Sequence, residues 1–145
     1  MSPSPAAAMT RRYRYFDHEA DIGIEARGKT VDEAFANAAL GMFAIMAEPA
    51  TVLPEQEVAV EFEEADLELA LVTWLNQLLA QARLRGLVFC AFELEHADTH
   101  WLGRAWGMPW RPGAERGTEV KGATLTMLKV EQGTKGWLAR CIVDV

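Results

Sequence analysis

Glu57-Val58-Ala59-Val60-Glu61-Phe62-Glu63-Glu64-Ala65-Asp66-Leu67 changes its hydrophobic period midway, and that change decides the fold class. Val58, Val60 and Phe62 alternate with acidic or small residues, the period of a strand with one buried face. Asp66 is placed to cap a helix. From there Leu67, Leu71, Trp74, Leu75, Leu78, Leu79 and Ala82 recur at helical spacing. Gly86 is placed to end that helix, and Leu87 to His96 returns to strand character, apolar at first and amphipathic later.

Working outward, Tyr13 to Phe16 and Ile22 to Ala26 read as strands, and Gly28 turns the chain. Thr30-Val31-Asp32-Glu33 is a capping box that opens a helix running to about Met46. Pro49 and Pro54 hold a linker open. Downstream, Trp101 to Trp106 is the expected hairpin partner of the strand before it, after a turn near Asp98, and Met108 to Gly117 reads as a loop. Val120 to Val130 and Trp137 to Val143 are the last expected strands, joined across Gly133-Thr134-Lys135-Gly136. Helices and strands do not alternate regularly, and the late strands follow one another directly. The expected fold class is therefore α+β, with a mixed or antiparallel sheet and two helices packed on one face. Met1 to Thr10 is rich in Ser, Pro and Ala and is expected to be a disordered tail, leaving 11–145 as a single domain.

The chain has 145 residues, 50% of them hydrophobic, enough for a sizeable core. Lys and Arg number 14 against 21 Asp and Glu, a formal net charge of −7. That balance argues against charge-driven nucleic-acid binding and suits a basic protein partner. Cys90 and Cys141 lie in apolar runs and are read as buried, reduced thiols. Neither a signal peptide nor a run of the roughly 20 apolar residues needed to span a bilayer occurs, so no membrane association and a cytoplasmic location are expected.

Chemistry concentrates at two places. His18-Glu19-Ala20-Asp21-Ile22-Gly23-Ile24 sets a carboxylate in a turn just before a strand, and Ile142-Val143-Asp144-Val145 carries another at the end of the last one. Two acids with the terminal carboxyl of Val145 would make an all-oxygen site for a hard cation if the fold brings them together. Each acid also has an ordinary reading. Asp21 could bond its own turn backbone, and Asp144 could be a solvated acid on an edge strand. His18, three residues before Asp21, is placed to orient that carboxylate or to hold the turn. His96 and His100 flank a turn and read as solvated. Trp101, Trp106 and Trp110 read as packing residues rather than a base-stacking surface. Ser2 and Ser4 are the only serines, which removes serine-nucleophile chemistry.

In this order the segments resemble the archease family, the small accessory protein of the RNA ligase that joins tRNA halves and repairs RNA. The matching pieces are His18-Glu19-Ala20-Asp21-Ile22-Gly23 (the family favours Thr at Glu19), Asp32-Glu33-Ala34-Phe35 and Ala38-Ala39-Leu40-Gly41-Met42-Phe43. They continue with Asp66-Leu67-Glu68, Trp74-Leu75-Asn76, Gly86-Leu87-Val88-Phe89, Glu119-Val120-Lys121-Gly122-Ala123-Thr124 and Asp144-Val145. The resemblance implies an α+β fold containing a strand-helix-strand-strand module. It also implies a divalent cation, typically calcium, held by Asp21 and Asp144 with an oxygen of Val145. Lys121 matches a position implicated in ligase activation, and His18 and Glu119 are grouped with it as partner-facing residues. The implied role is to promote guanylylation and turnover of the ligase without catalysing ligation. Two departures stand out: Leu125-Thr126 replaces a Tyr-His pair, and Arg111 and Arg116 occupy a loop where the family often has a histidine. Readings from other classes are a metal-dependent phosphohydrolase or nucleotide-handling enzyme using the two acids, and a chaperone-like binding module.

Overall fold

The computed structural model describes residues 12–145, so the expectation for Met1 to Thr10 lies outside the described residues. The elements in chain order are β1 (Tyr13–His18), β2 (Asp21–Gly28), α1 (Val31–Met46), a short 3-10 turn (Pro49–Thr51), β3 (Gln56–Glu63), α2 (Leu67–Arg85), β4 (Leu87–Ala97), β5 (His100–Pro109), β6 (Gly122–Ala123), β7 (Lys129–Gly133) and β8 (Gly136–Asp144). Both helices begin where the sequence caps them. Thr30 accepts a bond from the Glu33 amide, the Glu33 carboxylate accepts one from the Lys29 amide, and Asp66 accepts from the Leu69 amide. Gly86 closes α2 in the left-handed conformation, φ 65°.

The α+β class holds, with strands divided between two sheets. The larger has the order β1-β2-β8-β6, with β7 also paired to β8, and the smaller has the order β3-β5-β4. Every pairing is antiparallel. The helices lie between the sheets: α1 packs on β2 and β8 of the larger and on β4 of the smaller, and α2 touches β3, β4 and β5 as well as β6 and β7. Each sheet therefore buries one face. Phe35, Met42, Trp74, Leu75 and Leu78 form the helical part of the core, all fully buried. The Trp74 indole N–H donates to the Phe35 carbonyl at 3.0 Å, joining the helices through a buried bond. Trp101 stacks on Phe35, Phe62 and His96 and donates to the Glu64 carbonyl at 3.0 Å.

Two expectations need correction. Val120 to Val130 is not one strand: it pairs with β8 at Gly122–Ala123, leaves the ladder, and returns to β8 only where β7 begins at Lys129. The reason is competition for backbone groups. Asn76 on α2 bonds both the amide and the carbonyl of Ala123, and Arg83 donates to the carbonyls of Val120 and Lys121. The turn that follows contains Met127 at φ 53°. In addition, β5 extends two residues into the stretch read as a loop, because Met108 pairs with Val88 and Pro109 with Leu87. Pro109 is the strand's last residue, where a missing N–H matters least. Among the described residues no helix is long and apolar enough to cross a membrane.

Candidate metal centre

The β1–β2 hairpin closes on a two-residue turn, Glu19-Ala20, with His18 paired to Asp21. Glu19 has φ 55°, the positive value that primed hairpin turns require at that position. β2 then pairs with β8 through Ile22↔Val143, and one residue further along the same register Asp21 lies opposite Asp144. On the other side of β8, Asp144 pairs with Gly122. Directly opposed residues share a face. His18, Asp21, Asp144 and Gly122 thus form one row across four strands.

The row lies on the face turned away from the helices, since the next residues, Ile22, Val143 and Ala123, pack against the core. Opposed Cβ atoms in such a ladder stand roughly 5 Å apart, within reach of one cation for two carboxylates. The row below consists of Phe16, Gly23 and Ile142. A Cβ at Gly23 would stand 2.2 Å from the Phe16 ring, so the glycine lets that ring lie across the sheet. Ile142 is fully buried on this face, which makes the floor under the acids apolar. The third row holds Glu25, ion-paired with Arg14 and with Arg140.

Those arginines neutralise Glu25 and leave the upper row unbalanced. Among the described residues neither Asp21 nor Asp144 has an ion-pair partner or a side-chain hydrogen bond. Two adjacent carboxylates with an apolar floor repel each other, and oxygen donors of this kind suit calcium or magnesium. No group of three or more His, Cys, Asp or Glu side chains that could hold a metal converges among the described residues. A cation in the row would therefore need main-chain oxygens or water to complete its shell. The Asp144 carbonyl accepts the Lys121 amide at 2.7 Å, and the family resemblance implies a further oxygen from Val145. The residues fit a hard cation by donor type. Beside them, His18 Nδ1 is buried with no hydrogen-bond partner among the described residues, the condition of an atom that a bound group or water satisfies.

Lys121 lies opposite Val145 when the β6–β8 register is continued. Its backbone is clamped, the amide on Asp144 and the carbonyl on Arg83 Nη2 at 2.7 Å, while the side chain is exposed. Glu119 belongs to a different feature, the rim of a cavity between α1 and α2. Sequence reasoning did not single out Gly122, which ends the row without a side chain, or Arg83, which clamps the strand before it. An arginine in the last turn of α2 is the only signal for the latter, and it reads equally as a charge on the helix dipole.

The other histidines are engaged elsewhere. His96 is not a solvated turn residue: its Nδ1 lies 2.5 Å from Asp32 and its ring stacks on Trp101 at 4.1 Å. β4 runs on to Ala97, so His96 stays within the strand and turns inward. His100 bonds Glu63 at 2.6 Å and lies 3.3 Å from Glu61. That bond is the main cause holding the His100 pKa above its ordinary value and the Glu63 carboxyl below its own. Burial pushes the Cys141 thiol up to about 12 and raises Cys90 as well, and both are free cysteines.

Fold and row together define a small antiparallel α+β protein that brings an acid of its first hairpin beside an acid of its last strand. The chain belongs to the archease protein family, which it matches over residues 13–145. It is 35% identical over 141 residues to protein archease of Methanosarcina mazei, covering 93% of this chain and 97% of the relative. It is 32% identical over 138 residues to protein archease of Sulfurisphaera tokodaii, covering 93% and 99%. The solution structure of Methanobacterium thermoautotrophicum protein 1598 superposes with a TM-score of 0.80 at 30% identity, covering 94% of this chain and all of that one. The crystal structure of a Thermotoga maritima archease, described as a possible chaperone, shares the fold with a TM-score of 0.65 at 16% identity, over 91% and 96% of the two chains.

Proposed function

We propose that this chain is a non-catalytic, cytoplasmic accessory protein of an RNA ligase in tRNA splicing or RNA repair. It promotes guanylylation and turnover of the ligase through an acidic tip that holds calcium or another hard divalent cation. The observation that carries this reading is the row itself, Asp21 beside Asp144, with Lys121 clamped to the Asp144 carbonyl at 2.7 Å. A cation there would neutralise the paired acids and tie the first hairpin to the last strand. Asp21, Asp144 and the Val145 oxygen hold it. His18 braces the turn, and the Lys121 ammonium extends toward the partner. A rigid tip of this kind biases a partner's conformation only through contacts it makes in one state and not in another.

The test is single-turnover guanylylation of the cognate ligase with and without this protein. Faster guanylylation that disappears with Asp21→Ala supports the proposal, and no stimulation by the wild-type protein overturns it. Release of phosphate from GTP by the protein alone, dependent on Asp21, would point to a phosphohydrolase instead. Protection of unfolded clients insensitive to Asp21→Ala would point to a chaperone-like module.

A further inference from the structure

Next to Lys121 along the chain, Glu119 and Val120 form one wall of a half-open cavity of about 350 Å³. Its floor is the edge of the core: Phe43 at the end of α1, Leu79 and Ala82 on α2, and Leu87 at the start of β4. Its walls are held by backbone bonds. The amides of Gly117 and Thr118 donate to Met46 and Ile45 at 2.7 and 2.9 Å, and Arg83 holds the Val120 carbonyl at 2.7 Å. A Cβ at Gly117 would stand 2.2 Å from the Ile45 carbonyl oxygen, so only glycine lets the loop approach the helix this closely. The cavity is preformed, the condition under which filling it costs least ordering.

The rim has the opposite sign from the molecule. The chain carries a net charge of −7, yet the Arg116 guanidinium lies 3.9 Å over the Trp110 ring at the mouth. Among the described residues Arg116 has no carboxylate partner, whereas the neighbouring Arg111 is paired with Glu55. Stacking holds the guanidinium flat while its N–H groups stay free to meet a planar anion.

We infer that this cavity is the anchor socket for the protein partner of the metal row, taking an apolar side chain of that partner with an adjacent partner carboxylate on Arg116. The inference rests on the accessory reading above, and two arguments select this occupant. The cavity wall of Glu119 and Val120 continues directly into Lys121, the residue proposed to reach the partner, so a protein that meets the Lys121 ammonium borders the cavity. Arg116, exposed and without a carboxylate partner among the described residues, shares the cavity with Arg83, and these two cations against the single acid Glu119 complement an acid rather than a base. Buried anchors of this type supply most of an interface's affinity. The socket therefore contributes holding strength, and the row contributes activation.

The experiment separates those two contributions. Affinity for the isolated cognate ligase is measured by calorimetry, and guanylylation is measured at saturating activator, for wild type, Arg116→Glu, Arg116→Lys, Ala82→Met and Asp21→Ala. Melting curves establish that each variant is folded. Arg116 is exposed and Ala82 lines the cavity floor, so the two sites probe the rim and the volume separately. The expected result is affinity reduced tenfold or more by Arg116→Glu and by Ala82→Met, largely retained by Arg116→Lys, with saturated guanylylation at the wild-type rate. Asp21→Ala should show the reverse, binding without activation. Wild-type affinity in folded Arg116→Glu and Ala82→Met would overturn the socket and leave the accessory reading standing. Absence of ligase binding by the wild-type protein would overturn both. Wild-type ligase affinity in those variants, together with saturable binding of indole-3-acetate by wild type and its loss in Arg116→Glu, would reassign the cavity to a small aromatic anion.

Discussion

Asp21 and Asp144 are like charges held in direct opposition, an arrangement that costs up to about 1 kcal/mol without a counter-ion. This makes their substitution informative in both signs. In chelator, Asp21→Asn and Asp144→Asn should melt at or slightly above the wild-type temperature. In calcium at about 100 times its dissociation constant, wild type should gain about 2.7 kcal/mol that neither variant gains. Differential scanning fluorimetry reads the crossover, and parallel losses in both media would make the acids purely structural. Lys121 differs, because its fold contacts are main-chain: its amide bonds Asp144 and its carbonyl bonds Arg83. Lys121→Ala should change stability by less than about 0.5 kcal/mol while sharply reducing ligase guanylylation, and full stimulation by the variant would remove the ammonium from the site. A third residue-scale test concerns His100, whose pKa is raised chiefly by its bond to Glu63. The protonated pair contributes below the ordinary histidine value, and that contribution is lost as pH rises through the raised one. Glu63, held low by the same bond, loses its share as pH falls through its lowered value. In an NMR titration Glu63→Gln should bring the His100 pKa down toward its ordinary range. An unchanged value would leave Glu63 without the role assigned to it.

Among the elements, β6 depends most on its neighbours. It is two residues long, and its outer edge is completed by the Asn76 side chain, which meets Ala123 at 2.8 and 3.1 Å as acceptor and donor. Asn76→Ala leaves two main-chain groups short of partners and should cost about 1–3 kcal/mol by urea denaturation. Because Gly122 pairs with Asp144 through this strand, the same variant should also shrink the calcium-dependent gain in melting temperature. A calcium gain equal to wild type's would separate β6 from the row. The Trp74-Leu75-Asn76 motif thus joins two tasks: Trp74 ties α2 to α1, and Asn76 ties α2 to the larger sheet. Its helical position was legible from spacing. Its target was not, because nothing local to α2 specifies which backbone it reaches some 47 residues away.

For the molecule as a whole, charge is distributed unevenly. The open face of the smaller sheet presents Glu57, Glu61 and Glu63 on β3 and Glu93 and Glu95 on β4 around Arg104 of β5. Such a surface repels phosphates. In a filter-binding assay at physiological salt, tRNA fragments should bind weakly and without sequence preference. Tight binding without ligase would count against the docking of a protein partner.

Periodicity and capping made the helices and most strands readable, since Thr30, Asp66 and Gly86 act within a turn of themselves and Val58, Val60 and Phe62 declare their own buried face. The motif around Asp21 and the acid beside Val145 could be singled out as oxygen donors for the same reason: carboxylate chemistry belongs to the residue. Local pattern could not decide that the strands form two sheets with the helices between them, that Val120 to Val130 is broken, or that His96 turns inward onto Trp101. Each of those depends on which distant group captures a backbone bond or an aromatic face. The row of His18, Asp21, Asp144 and Gly122 depends on register between the first strands and the last, a long-range pairing that exists only once the core beneath it has formed.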